Sequence, residues 1–176
     1  MSDASEPVLH YLPYERFLDE VETLARALEA DSWTPDCLVG IGRGGLVPAA
    51  YLSHRTGIQM LSVDHSSGEV GFGDELLDKL AAKIRSGSNI LIVDDINDSG
   101  GTIQYLRAAI GEKTDDPARL RVAVLVHNIR SKAVAEYHGS EIDREQDKRW
   151  YVFPWEAVAP RSTLTVEALA VPERLA

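Results

Sequence analysis

Cysteine is nearly absent: Cys37 is the single thiol among 176 residues, so no internal disulfide can staple the chain. Its neighbours Leu38 and Val39 are apolar, and a small hydrophobic thiol in such company belongs in a core rather than in a reactive site. A chain that folds without disulfides fits a reducing compartment. Positive charge is also in deficit, with 18 Lys and Arg against 28 Asp and Glu and a formal net charge of −10. That excludes broad electrostatic binding to nucleic acid or anionic membranes, because both need Lys and Arg to displace counterions. Any phosphate must therefore be gripped locally. No apolar run approaches the roughly 20 residues of a membrane-spanning helix. The opening Met1-Ser2-Asp3-Ala4-Ser5-Glu6-Pro7 has neither the basic nor the apolar region of a secretory leader. A cytoplasmic protein is the expectation. The chain also lacks repeats, low-complexity tracts and the G-x-x-x-x-G-K-[ST] loop of P-loop enzymes.

What is present is a chain with 44% hydrophobic and 26% charged residues, which suits one globular domain. Residues 13–30 place Phe17, Val21, Leu24, Ala25 and Leu28 at helical spacing. A short apolar strand over 36–41 is followed by Gly42-Arg43-Gly44-Gly45 and a helix over 46–55. The pattern then gives a strand at 59–63, a helix at 76–85, a strand at 89–93, Gly100-Gly101 and a helix at 102–110. Residues 120–126 form another apolar strand after a Thr114-Asp115-Asp116-Pro117 turn, and 150–152 a short last one. Apolar strands alternating with amphipathic helices imply an α/β fold, its parallel sheet covered on both faces. Residues 64–74 carry three glycines and no period, so they read as a loop that either closes over a site or is simply disordered. Residues 1–156 form the domain, and 157–176 a weakly patterned extension, docked or frayed.

The most informative stretch is Ile90-Leu91-Ile92-Val93-Asp94-Asp95-Ile96-Asn97-Asp98-Ser99-Gly100-Gly101-Thr102. Ligands of open parallel sheets bind at the carboxyl ends of strands, and small residues at a helix N-terminus offer amides and a positive dipole end to phosphate. Ser99 to Thr102 would cradle a phosphate. Asp94 and Asp95 would repel it unless they face sugar hydroxyls or a cation. Side chains alternate along a strand, so the two acids need not chelate one metal together. Asp98 stands apart as a candidate proton acceptor. Singly, each acid reads as a solvated acid or a helix cap; together, after one buried strand, they read as a site.

Here the segment resembles the phosphoribosyl pyrophosphate (PRPP) motif of type I phosphoribosyltransferases: apolar strand, two acids, two variable residues, Asp, Thr or Ser, Gly, a variable residue, Thr. Ser99 keeps the hydroxyl. The resemblance implies that Asp94 and Asp95 bind the ribose hydroxyls, directly or through Mg2+, making them the metal residues too. It puts Asp98 near the attacking nitrogen of the base and Ser99, Gly100, Gly101 and Thr102 around the 5-phosphate. The pyrophosphate loop of that family resembles Ile41-Gly42-Arg43-Gly44-Gly45-Leu46-Val47-Pro48. There Gly42 and Gly44 let the backbone approach the diphosphate, and Arg43 supplies charge to the leaving group. Gly40 to Gly45 also satisfies G-x-G-x-x-G, with Asp64 about twenty residues on, but a dinucleotide fold would leave the acidic loop without a task. A receiver domain needs its phospho-accepting Asp on a later strand; the next one ends in Val126-His127-Asn128.

Trp150-Tyr151-Val152-Phe153-Pro154-Trp155-Glu156 is similar to the base-binding segment of bacterial and archaeal xanthine-guanine and hypoxanthine phosphoribosyltransferases. By that match Trp150 stacks on the purine and Tyr151 offers backbone contacts, while Phe153 and Trp155 belong to the core. In those enzymes a lysine after the penultimate strand reaches the 6-oxo group. Here Asn128 or His127 stands in its place, leaving Asn128 or a returning Lys132 to read the base. The implied fold is the type I fold with a mobile loop and a small base-binding hood. The implied activity is Mg2+-dependent transfer of ribose 5-phosphate from PRPP to a 6-oxopurine by a homo-oligomer. The alternatives are a PRPP- or nucleotide-binding regulator without turnover and a transferase for another base.

Overall fold

The computed structural model describes residues 6–63 and 72–171. In chain order the elements are β1 (Leu9–Tyr11), α1 (Tyr14–Ala30), β2 (Cys37–Ile41), α2 (Gly42–Thr56), β3 (Met60–Val63), α3 (Phe72–Arg85) and β4 (Ile90–Asn97). They continue with α4 (Gly101–Gly111), a 3-10 turn (Pro117–Arg119), β5 (Leu120–Asn128), β6 (Tyr137–Ile142), β7 (Trp150–Val152) and α5 (Arg161–Leu169). Five strands make one parallel sheet in the order β3-β2-β4-β5-β6. The chain passes from β2 through α2 to one side and from β4 through α4 to the other, so the winding direction reverses between β2 and β4. That reversal leaves a crevice at the carboxyl ends of these two strands, where ligands of such sheets bind.

The central strands β2, β4 and β5 are mostly apolar because both faces of the sheet are covered. Leu38, Leu91, Val93, Ala123 and Leu125 pack with Phe17, Val21, Leu24, Ala25 and Leu28 of α1 and Ala49 and Leu52 of α2. On the other face Val39, Ile41, Ile90, Ile92, Val122 and Val124 meet Leu77, Leu80 and Ile84 of α3 and Ile103, Leu106 and Ile110 of α4. Each such side chain contributes about 1.5–3 kcal/mol of burial. Cys37 is buried in the second cluster, as its neighbours imply. Burial also pushes its thiol pKa up, which disfavours the thiolate.

Three differences from the sequence reading bear on function. First, α2 begins at Gly42, so the expected glycine loop is the first turn of a helix; Gly42 makes the bend with φ +57°. Second, β4 continues to Asn97, because its acidic end still pairs with β5 through Asn97 opposite His127. Third, β6 was not foreseen: Tyr137-His138-Gly139-Ser140-Glu141-Ile142 is an edge strand too polar and too short to show a period. β1 was also missed, and it pairs in parallel with β7 as a separate two-stranded hood. The tail carries α5, docked by the buried Leu164 and Ala168. Residues 64–71 of the expected closing loop lie outside the described residues.

Candidate active site

Two strand-to-helix junctions flank the crevice, and the N-cap residues of α2 and α4, Ile41 and Gly100, make no side-chain capping bond. The leading amides of these helices therefore offer donors and the positive end of a helix dipole. The junctions touch closely. A Cβ on Gly45 would overlap the Val93 carbonyl, and one on Gly44 the Asp95 carboxylate, so only glycine lets α2 start against the end of β4. At the second junction Gly100 takes φ +89° and leads into α4, with Ser99 Oγ accepting the Gly101 N–H at 3.5 Å. Ser99, Gly101 and Thr102 are exposed there, whereas Gly100 is buried.

Asp94 and Asp95 are half-buried at the end of β4. Asp94 Oδ1 accepts the Asp95 N–H at 3.0 Å, and Asp95 Oδ1 the Ile96 N–H at 2.6 Å, which fixes both carboxylates to the strand. Asp95 opens onto a cavity of about 510 Å3 that Arg43, Gly44, Glu156, Thr163 and Glu167 help to line; Asp94 is not part of that lining. Alternation along the strand separates the two acids. Arg43 is 82% exposed in its side chain and lies 3.7 Å from Glu167 of α5, so its charge stands at the cavity mouth. Among the described residues no group of three or more His, Cys, Asp or Glu is arranged to hold a metal. Mg2+ commonly takes one or two carboxylates and completes its shell with water and substrate phosphates. The hard oxygens of Asp94 and Asp95 fit that mode. Burial pushes the Glu156 carboxyl up to about 7, with Asp95 and Glu167 adding to the effect.

Asp98 is held quite differently. It is buried, and Arg144 forks onto it: Nε lies 3.0 and 3.1 Å from its two carboxylate oxygens and Nη2 2.8 Å from Oδ2. Asn128, expected at the base, is buried and engaged at both ends of its amide. Its Nδ2 donates to the Asp98 carbonyl at 3.1 Å, while its Oδ1 accepts the N–H of Arg130 at 3.1 Å and of Arg144 at 3.2 Å. His127 Nδ1 lies 3.0 Å from Asn97 Nδ2, and its ring stacks on His138.

In the hood, Trp150 is partly buried and Tyr151 almost fully so. The Tyr151 hydroxyl donates to Asp147 at 2.9 Å, and its ring meets His10 edge-on at 4.9 Å. Arg149 grips Asp147 at 2.8 Å and holds its carboxyl well below the usual range. Phe153 is core, as expected, and stacks on Trp155. Sequence reasoning gave Glu156 no role, although it ends the aromatic segment. It also missed Arg144 and Glu167, because neither sits in a motif and only the fold carries them to the site.

The geometry matches a known class. The family model for the phosphoribosyl transferase domain matches residues 8–159. A xanthine-guanine phosphoribosyltransferase of Gluconobacter oxydans (strain 621H) is 31% identical over 123 residues, covering 68% of this chain and 67% of that protein. The chain belongs to the phosphoribosyltransferase family. A Helicobacter pylori xanthine-guanine-hypoxanthine phosphoribosyltransferase has a similar fold, with TM-score 0.64 and 21% identity over 91% of this chain and 99% of that one. So does a hypothetical protein from Neisseria gonorrhoeae crystallised with bound ppGpp, with TM-score 0.65 and 22% identity over 96% and 98% of the two chains.

Proposed function

We propose that this protein joins a 6-oxopurine to the ribose 5-phosphate of PRPP and releases pyrophosphate, a purine salvage reaction. The observation that carries this reading is the pair of adjacent strand-to-helix junctions, one with Arg43, Gly44 and Asp95 lining the cavity and the other presenting the exposed Ser99, Gly101 and Thr102. Two anionic groups of one ligand can be gripped there with a sugar between them. The name of the Gluconobacter relative supports the choice of a 6-oxopurine.

A ring nitrogen of the base attacks C1 of the ribose as the bond from C1 to the pyrophosphate oxygen breaks, through a transition state with oxocarbenium character. Catalysis then rests on placement and on charge stabilisation rather than on covalent chemistry. Ser99, Gly100, Gly101 and Thr102 hold the 5-phosphate. Gly42, Arg43 and Gly44 take the diphosphate and neutralise the departing charge. Asp94 and Asp95 orient the ribose hydroxyls and would hold Mg2+. When bound, Mg2+ supplies further neutralisation of the pyrophosphate oxygens. Trp150 stacks on the base, Tyr151 reads its edge through the backbone, and Asp98 accepts the N–H of the attacking ring. Asn128 braces Asp98 from below instead of reading the base. By the same resemblance we expect a cytoplasmic homo-oligomer with no nucleic-acid or membrane partner.

The test is pyrophosphate release from PRPP and Mg2+ with guanine, xanthine, hypoxanthine, adenine, uracil and orotate offered separately. Turnover confined to 6-oxopurines and abolished by Asp98→Asn is the expected result. Binding of PRPP with no turnover on any base would replace this reading with a PRPP-sensing protein.

A further inference from the structure

We propose that Arg144 is the positioning residue of this site: one guanidinium from just beyond β6 ties the catalytic loop to the base-binding hood and sets the distance between them. The inference rests on the purine transferase reading and adds to it a residue outside every motif.

The geometry is that of a built junction. Three faces of the same guanidinium are occupied. Nε and Nη2 fork onto Asp98 of the β4–α4 loop at 2.8 to 3.1 Å. Nη1 donates to the Arg149 carbonyl at 2.6 Å and to the Asp147 carbonyl at 3.2 Å, both on the segment that delivers Trp150. Its Cζ lies 5.4 Å from the centre of the Tyr151 ring. The Arg144 backbone is pinned in turn, since its N–H donates to Asn128 Oδ1, and Asn128 Nδ2 donates to the Asp98 carbonyl. The side chains of Arg144 and Asp98 are 9% and 4% exposed, so water cannot replace the partners if one is lost.

Four parts of the chain meet in this junction: the end of β5, the residues after β6, the acidic loop and the approach to β7. Arg43, by contrast, is exposed and has one long contact at 3.7 Å. A ligand can recruit Arg43, whereas Arg144 is already spent on the protein. Its planar fork matches a carboxylate on one side and two carbonyls on the other, and an ammonium group has no equivalent geometry. On the proposed reading Asp98 faces the attacking nitrogen and Trp150 stacks on the same base, so displacing either relative to the other misaligns the base against C1. The 5-phosphate and diphosphate grips, on the junctions at α4 and α2, do not include Arg144.

The experiment uses the full chain with Mg2+ and compares wild type with Arg144→Lys and Arg144→Ala. PRPP binding is read by calorimetry, base turnover by kcat and by KM for the base, and nucleotide binding by calorimetry with GMP. Misplacement of this kind costs on the order of 100-fold in rate. We expect that loss in kcat/KM for the base and a parallel loss of GMP affinity, with PRPP affinity within about twofold of wild type. Arg144→Lys should not restore the base terms, whereas free guanidinium should partly restore Arg144→Ala. A parallel loss of PRPP binding, full activity in Arg144→Lys, or unchanged base kinetics would overturn the proposal. If Arg144→Ala does not fold, Asn128→Ala keeps both charges paired and frees the brace, and the same selective loss is expected. A wild type that turns over no purine sinks the functional reading itself. The positioning claim then falls only if Arg144→Lys leaves GMP binding at the wild-type level.

Discussion

At the first junction the helix starts on the residue after the strand, Gly42, and offers a cation, Arg43, to the solvent side. At the second, three residues intervene between β4 and α4, and the charges before the helix are acidic. At both junctions the N-cap residue makes no side-chain capping bond, so both suit phosphate; they differ in what else they bring. At the tight one the Asp95 carboxylate lies against Gly44, and Arg43 reaches outward. The wide one has room to hold Asp94 and Asp95 on the strand and to bury Asp98 beneath the hood. On the proposed reading, neighbouring strands divide the work of binding one ligand: charge neutralisation on one side, sugar and base orientation on the other.

The sharpest way to break this comparison is with one methyl group on each side. Gly45→Ala drives a Cβ into the Val93 carbonyl, whereas Gly101→Ala meets nothing nearer than Ser99 Oγ at 3.7 Å. Overpacking against backbone costs about 1–3 kcal/mol or more, and each kcal/mol lowers Tm by about 2–4 °C in a chain of this size. Gly45→Ala should melt several degrees below wild type by calorimetry, and Gly101→Ala within a degree or so of it. Equal melting would mean that the first junction is not under close packing.

Next in size is the charge difference. Arg43→Gln should weaken PRPP binding by about tenfold, equivalent to about 1.4 kcal/mol, and salt should shrink the deficit because Arg43 is exposed. Titration calorimetry at low and high ionic strength reads both. A deficit that salt leaves unchanged would show that Arg43 acts from a closed site.

The smallest effect concerns Glu156, which lines the cavity with Arg43, Gly44 and Asp95. Its folded pKa of about 7 lies above the ordinary 4.5. The folded state therefore binds the proton more tightly than the unfolded chain, and this group's favourable contribution is present below about 4.5 and lost as pH rises through 7. Glu156→Gln should match wild type in Tm near pH 5 and exceed it slightly at pH 8. A pH-independent difference would show that the carboxyl is not titrating in that window.

Much of the proposed site rests on residues that are contiguous in the sequence, and for a clear reason. A phosphate cradle needs small residues in series and a ribose needs acids at a strand end, so both leave contiguous marks at 42–45 and 94–102. Trp150 and Tyr151 drew attention as a candidate base platform because aromatic runs are uncommon in so polar a neighbourhood. Asn128 was expected to read the base, whereas the structure engages both ends of its amide with Asp98, Arg130 and Arg144: an amide serves equally as a base reader or as a brace, and only its partners decide. Arg144 was invisible, because it follows an edge strand with no apolar period. Its meaning depends on Asp98, 46 positions away in the chain.

By itself, then, the sequence indicated the central strands and the main helices, though not β1, β6 or α5, and marked the glycine and acidic stretches at the two junctions, because these depend on residues within a few positions of one another. Tertiary structure alone decided which helix face meets which carboxylate, that α5 closes the cavity with Glu167, and that Asp98 is clamped rather than free. Those outcomes come from parallel strand order and from hydrogen bonds between segments far apart in the chain, and no local pattern encodes them.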